Sequence, residues 1–492
     1  MESFLIRAIQ LILSLSILVF THELGHFFFS KVFKVRVERF YLFFNPNFSL
    51  IRFKRFKNKW HVKLLAKNEK SLSTPVTDSK GNHLIDSSGA YMYNSIQMNE
   101  LSDADWRKYP EATEWGIGWL PLGGYCKISG MIDESMDRTQ LKTEPKPWEY
   151  RAVNPWKRLP IITGGVIVNF ILALVIYSAV LFTWGEKYVP TRNYSLGMEF
   201  SETCKKAGFK DGDIILSADG VQLEQFDDAS FRKMIEGKSV GVLRNNSIVQ
   251  ILIPKGFMQQ LMHENKGFAI PRIPFIADKV IGKSPAEKAG FKVGDSLVTI
   301  NGQNTITFFD FAKNISTHKN KAVFVGVYRK GALLTIKVAP DSTGRIGIAP
   351  RLPEAIFKTK TISYSLLESI PAGIKLGVNK LTGYVSDMKY IFTKEGAQSM
   401  GGFGSIAKQF DFEWNWIQFW QTTAFLSVIL AFMNILPIPG LDGGHLLFLL
   451  YEIVTGRKPN EKFLERAQAA GMIFLLFLIL YVNINDIINF VF

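Results

Sequence analysis

Cysteine is almost absent from this sequence. Cys126 and Cys204 are the two in 492 residues, too few to hold a chain of this length together as a disulfide scaffold. Charge is sparse as well: Lys, Arg, Asp and Glu make up 21%, below the ~25% of soluble domains. The 47% hydrophobic content excludes a disordered chain. Histidine numbers seven against forty phenylalanines, so a cluster of histidines carries information. No basic stretch comes with a base-stacking motif. Nucleic acid is therefore not expected as a partner, and the net charge of +15 needs another account. The N-terminal apolar stretch lacks the basic n-region and small-residue cleavage site of a signal peptide, so it is expected to stay in the mature chain.

Long apolar runs are what the sequence has instead. Residues 4–29, 159–184, 414–441 and 467–485 are each long enough to cross a bilayer, which takes ~20 residues. Twelve Lys and Arg crowd the forty-one residues from Ser30 to Lys70, and Arg457, Lys458, Lys462 and Arg466 lie between the last two runs. The positive-inside rule puts both connections in the cytoplasm and both termini outside. The basic balance then reports topology and contact with the lipid bilayer.

The cytoplasmic connection, residues 30–158, ends in GIGWLPLGGYCKISG, Gly116 to Gly130. Apolar residues alternating around Gly123-Gly124 predict a β-hairpin, apolar enough to re-enter the membrane edge. Residues 65–113 are polar and irregular. Outside, KAGFKDGDIILSADG (Lys206–Gly220) recurs 82 residues later as KAGFKVGDSLVTING (Lys288–Gly302), with eight of fifteen positions identical. That period is too long for a solenoid and suits two tandem domains, 188–270 and 271–351. Asp219-Gly220 and Asn301-Gly302 are hairpin turns. Residues 352–412 contain helical spacing over Tyr364–Phe392 and are expected to lie as an amphipathic segment on the outer membrane face. The expected fold class is a polytopic α-helical membrane protein with four transmembrane helices, a cytoplasmic membrane-associated β-hairpin and two extracytoplasmic α+β domains.

The chemistry starts at His22-Glu23-Leu24-Gly25-His26, an HExxH motif. On a helix both imidazoles share one face and reach one zinc ion, with the Glu beside the bound water as general base. Ionisable groups at the end of a membrane helix mark function by default. A catalytic zinc needs a third protein ligand, and Asp442 in NILPIPGLDGGH (Asn434–His445) is the candidate. Odd-numbered spans run in one direction, so Asp442 shares a depth with His22 and His26. His445 is a rival ligand, and a helix N-cap is the structural alternative for Asp442.

These residues resemble the site-2 protease family of intramembrane zinc metalloproteases, most closely its bacterial RseP type. The resemblance rests on HELGH, LGGY (Leu122–Tyr125), GGVIVNF (Gly164–Phe170) and NILPIPGLDGGH, and covers nearly the whole chain. The outer repeats are similar to PDZ domains, SPAEKAGFKVGD (Ser284–Asp295) being the clearer copy. The resemblance implies one zinc held by His22, His26 and Asp442, with Glu23 as catalytic base. It implies that Asn169 and Asn434 hold or polarise an unwound substrate backbone, which Gly123, Gly124 and Tyr125 pair with as an added strand. It implies a bacterial inner-membrane location with periplasmic PDZ-like domains. The implied substrates are single-span membrane proteins already trimmed outside, such as anti-sigma factors and signal peptide remnants. Two departures stand out: Val166 replaces the family's frequent Pro after Gly, and the first repeat begins with Ser201-Glu202-Thr203-Cys204 in place of Ser-Pro-Ala-Glu.

Two other classes remain on the sequence alone. One is a membrane-anchored PDZ scaffold or receptor with a structural metal site. That site would be closed and need no base, whereas HExxH with three protein ligands leaves a position open. The other is a transporter, against which stands the lack of an inverted repeat among the spans.

Overall fold

The computed structural model describes residues 2–68, 73–75, 93–95, 100–121, 123–131, 144–264 and 267–491. Leu122 of the LGGY motif and most of the polar stretch within 65–113 lie outside them. The chain forms two compact units: Met1–Thr183 with Ser365–Tyr384 and Met400–Phe492, and Trp184–Tyr364 with Val385–Ser399.

In the first unit, four helices are long and apolar enough to cross a membrane among the described residues: Phe4–Val32, Pro155–Trp184, Trp416–Ile435 and Lys462–Ile488. Their Leu, Ile, Val and Phe residues point outward as well as inward. Phe28, Val175 and Phe477 are all exposed, as lipid-facing side chains are. We label helix Glu2–Val32 α1 and helix Pro155–Trp184 α2. The third span is shorter than the expected 414–441. Asn415 caps it by accepting from the Ile417 and Gln418 amides, and it ends at Ile435. Leu436 is extended, as the residue before Pro437 must be. Twenty residues at ~1.5 Å each still span ~30 Å. A new helix, Asp442–Thr455, starts after the turn.

A five-stranded sheet follows α1. Its strands are β1 (Val37–Leu42), β2 (Phe48–Phe56), β3 (Lys59–Lys67), and, after a small pair β4 (Ser73–Pro75) and β5 (Tyr93–Ser95), β6 (Glu114–Ile117) and β7 (Tyr125–Ile128). The order is β3-β2-β6-β1-β7. The hairpin expected around Gly123-Gly124 is therefore corrected. β6 runs parallel to β1 and β7 antiparallel to it, so β1 lies between them. Alternation marks a strand but does not name its partner, and here the partner is more than seventy residues upstream. Among the described residues β7 pairs only with β1.

Residues Ser365–Tyr384, the start of helix Leu366–Ile391, meet α2 where Gly373 abuts Ser178 and Gly377 abuts Leu174. Leu366, Leu367 and Ile370 on this helix are exposed.

The second unit holds two domains built alike. In the first, helix Glu202–Lys206 precedes strand Ile214–Ala218, helix Asp228–Glu236 and the hairpin of Ser239–Arg244 with Ser247–Leu252. In the second, helix Pro285–Ala289 precedes strand Ser296–Ile300, helix Phe308–Ile315 and the hairpin of Val323–Arg329 with Ala332–Val338. Each has its own core, around Phe209, Met234 and Val240 in one and Phe311, Val325 and Val327 in the other. Asp219, Gly220, Asn301 and Gly302 all have positive φ, as the turn reading requires. The repeated Gly-Asp acquires a reason. Arg244 grips the buried Asp213 through two nitrogens at 2.7 and 2.6 Å, and Arg329 grips Asp295 through two at 2.7 Å.

Candidate metal centre

Glycine sets the distance between α1 and α2. A Cβ on Gly164 would stand 2.7 Å from the Gly25 carbonyl oxygen, and one on Gly25 would overlap the Gly164 carbonyl. The helices therefore touch backbone to backbone, the close approach that small residues allow inside membranes. Gly165 makes room for the two imidazoles: a Cβ there would lie 2.5 Å from His26 Nε2 and 2.6 Å from His22 Cε1.

The Asp442 helix is brought in by the turn before it. Pro437 and Pro439 end the third span, and Gly440 has φ +95°. Gly443 and Gly444 let the new helix start directly beneath the turn, where added Cβ atoms would strike Leu436, Ile438 and Pro439.

Three atoms then converge. His22 Nε2 lies 3.1 Å from Asp442 Oδ2, His26 Nε2 lies 3.3 Å from the same oxygen, and the two Nε2 atoms are 3.2 Å apart. Zinc bonds of ~2.0–2.2 Å at tetrahedral angles require ligand atoms ~3.3 Å apart. The triangle has that size. Asp442 Oδ2 is buried with no hydrogen-bond donor, an orphan that a cation would satisfy. His26 Nδ1 is 2.8 Å from the Ile161 carbonyl, which fixes the proton on Nδ1 and leaves Nε2 as the ligand atom. The donor set fits zinc. His445 is not part of it, since its ring nitrogens lie 3.1 and 2.9 Å from Gln468 Nε2.

These residues open on a cavity of about 490 Å³. Glu23 lines it, with the Cys126 amide of β7 close enough to favour its charged form. Asn434 lines it too, with Nδ2 3.4 Å from His22 Nε2. Tyr125 lines it, with its hydroxyl 3.0 Å from Asn45 Oδ1 and its phenol pushed up to about 12 by burial. Gly123 and Gly124 flank the site rather than line it. A Cβ on Gly124 would meet Tyr41 and Val19, and one on Gly123 would meet Phe44.

Asn169 departs from its expected place. It is fully buried behind His22, with Nδ2 3.4 Å from His22 Nδ1, and it does not line the cavity. The burial places its amide behind the imidazole rather than on the cavity wall. Sequence reasoning missed Arg39, Asn45, Asn68 and Lys127 on the cavity wall. Arg39 had been counted only as a topology charge, and β1 had no assigned neighbour that would turn it inward.

The model of peptidase family M50 matches residues 10–67 and 101–478. The chain belongs to peptidase family M50. Relatives of this M50 chain include Protease RseP of Yersinia pestis, 25% identical over 99% of both chains. They also include the Regulator of sigma E protease of Haemophilus influenzae, 26% identical over 78% of this chain and 89% of that one. A Rickettsia conorii protein with the provisional name zinc metalloprotease is 25% identical over 99% of both chains. The motifs of the metal triangle fall inside the matched residues, whereas residues 68–100 fall outside them.

Proposed function

We propose that this M50 peptidase is an intramembrane zinc endopeptidase whose zinc is held by His22, His26 and Asp442. It hydrolyses bonds within or near the transmembrane segment of single-span membrane proteins already trimmed outside. The observation that carries the reading is the triangle of His22, His26 and Asp442 atoms at 3.1–3.3 Å, opening on a cavity that Glu23 also lines.

A bound zinc ion supplies Lewis acidity for the scissile carbonyl and lowers the pKa of a coordinated water toward ~7. Glu23 takes a proton from the attacking water on its carboxylate and passes it to the leaving amine. Asn434, on the cavity wall, donates to the substrate carbonyl from its Nδ2. The Cys126 amide of β7 lies beside Glu23, and among the described residues β7 pairs only with β1, so the base adjoins the sheet edge. A transmembrane helix hides its peptide bonds in i→i−4 hydrogen bonds. An unwound segment regains partners by adding as a strand to β7.

Asn169 is a positioning residue. His22 binding through Nε2 carries its proton on Nδ1 and needs an acceptor there. Asn169 Oδ1 is buried without a partner, and turning the amide over points that oxygen at His22 Nδ1. Ser427 Oγ holds the Asn169 carbonyl at 2.7 Å.

The PDZ-like pair is periplasmic in this reading and screens the outer end of substrates. The metal centre sits toward the cytoplasmic side of a bacterial inner membrane, and both termini are extracytoplasmic. Supporting this are the basic residues after α1 and before the last span. Anti-sigma factors and signal peptide remnants are the substrate classes, the first supported by the sigma E name of a relative.

The test is cleavage of a truncated single-span protein in cells by wild type and by Glu23→Gln. Cleavage by wild type alone supports the reading. Equal cleavage by both means that another enzyme cuts, and no cleavage of several such substrates favours the scaffold.

A further inference from the structure

The five-stranded sheet is amphipathic in an inverted sense. Cross-strand partners share a face. On one face lie Arg52 and Lys54 of β2, Lys63 of β3 and Glu114 of β6. This charged face is covered. Arg52, Lys54 and Glu114 are buried, Tyr41 Oη lies 2.6 Å from Glu114 Oε1, and Lys54 donates to the Trp106 carbonyl at 3.1 Å. Lys63 sits 4.5 Å over the Trp106 ring.

The other face is apolar, and at its outer end it is bare. Trp60, Val62 and Leu64 of β3 are 58%, 58% and 69% exposed. This face is continuous with a membrane-spanning helix. Phe27 of α1 lies 4.9 Å from Trp115 of β6, Trp115 lies 6.5 Å from Phe53 of β2, and Phe53 lies 5.7 Å from Trp60 of β3. An unbroken row of rings thus leads from the span to the sheet edge. Exposed cations border this row: Arg55 pairs with Trp60 on the bare face, Lys59 pairs with Phe56 on the opposite face at the start of β3, and Lys67 ends the strand.

We propose that the β2–β3 hairpin is a lipid-binding element that seats Trp60, Val62 and Leu64 in an anionic leaflet at the boundary between headgroups and acyl chains. This rests on the four helices crossing a bilayer. Three observations select lipid as the occupant: continuity with α1, the charged face turned inward, and cations complementary to anionic headgroups. The depth follows from the backbone. Among the described residues β3 pairs only with β2, and unpaired amides are not tolerated in the hydrocarbon core, so the strand stops where water still reaches. Tryptophan and lysine are the residues that favour that depth. The hairpin holds the sheet, and with it β7, level with the membrane surface.

Nitroxide labels test this in the full-length protein, reconstituted in phosphatidylethanolamine–phosphatidylglycerol vesicles. Cys126→Ala and Cys204→Ser clear the background. Labels go at Val62→Cys and Leu64→Cys, at Ile171→Cys on α2 as the membrane control, and at Val293→Cys in the second unit as the aqueous control. At 62 and 64, relaxation by oxygen is expected to exceed relaxation by a water-soluble nickel complex several-fold, as at 171. Combining the labels with Arg55→Glu, Lys59→Glu and Lys67→Glu is expected to shift 62 and 64 toward the aqueous value. Nickel access at 62 and 64 equal to that at 293, with 171 shielded, overturns the proposal and leaves the spans intact. Shielding of 62 and 64 from both reagents also overturns it, because protein then covers the face. Nickel access at 171 as well overturns both the proposal and the membrane reading.

Discussion

Arg158 Nη2 donates to Glu452 Oε1 at 2.5 Å although the two residues are 294 apart in sequence, and both are buried. The pair joins the start of α2 to the helix that begins with Asp442, while Tyr150 lies under the guanidinium. Removing one partner leaves a buried charge, at a cost of ~3–5 kcal/mol. Glu452→Gln is expected to lower the thermal midpoint in detergent and to lose zinc on dialysis faster than wild type. The exchange Arg158→Glu with Glu452→Arg is expected to recover part of both, measured by melting and metal content.

Backbone contact between Gly25 and Gly164 leaves no room for a side chain. Gly164→Leu is expected to push the two helices apart, to cost more than the ~1–3 kcal/mol of ordinary overpacking, and to abolish zinc retention and cleavage together. Gly377→Ala, whose neighbour is the flexible Leu174 side chain, is expected to change zinc retention little. Zinc content of the purified proteins checks both.

Asn169 touches His22 and not the cavity. Asn169→Ala is therefore expected to weaken zinc affinity ~10–100-fold, with KM for a transmembrane substrate nearly unchanged. Asn434→Ala is expected to do the reverse, lowering kcat while zinc stays bound. Competition with a fluorescent chelator separates the two.

Asp295 is expected to make the second of the two like domains sensitive to acid. Burial opposes its charge, but the paired contact with Arg329 and the Lys292 amide outweigh this and hold its carboxyl below the ordinary range. A depressed folded pKa gives stability that is complete above the unfolded value of ~3.9 and is lost as pH falls from there through the lower folded value. Asp295→Asn is expected to cost ~3 kcal/mol at pH 7 and to flatten the acid limb of the stability curve below the ordinary carboxyl value of ~3.9. Denaturant unfolding across that range tests the sign.

Much of the metal centre was legible because its spacing is local. The i, i+4 histidines at 22 and 26 need only a helix, and Pro437 and Pro439 announce the break before Asp442. The repeat was legible because Gly-Asp, Asp219-Gly220 and Asn301-Gly302 encode turns within a few residues. The β6–β7 hairpin was misread because its strands pair through β1, and alternation says nothing of a partner so far upstream. The orientation of Asn169 is beyond the sequence for a related reason. A motif gives proximity to the site, but only packing decides whether an amide faces the cavity or the back of His22. Trp60, Val62 and Leu64 gave no signal as an outward row, since a strand pattern does not reveal which face is covered.

The order in which the chain is made has a consequence for the cell that makes it. His22, Glu23 and His26 emerge first, yet the amide beside Glu23 belongs to Cys126, and the third donor belongs to Asp442. Between them lie the sheet, a second candidate span and both repeat domains. A ribosome-bound fragment therefore carries the glutamate without that amide, and later the amide without a complete ligand set. In the proposed reading the metal site is complete only once Asp442 has been made, after three of the four candidate spans.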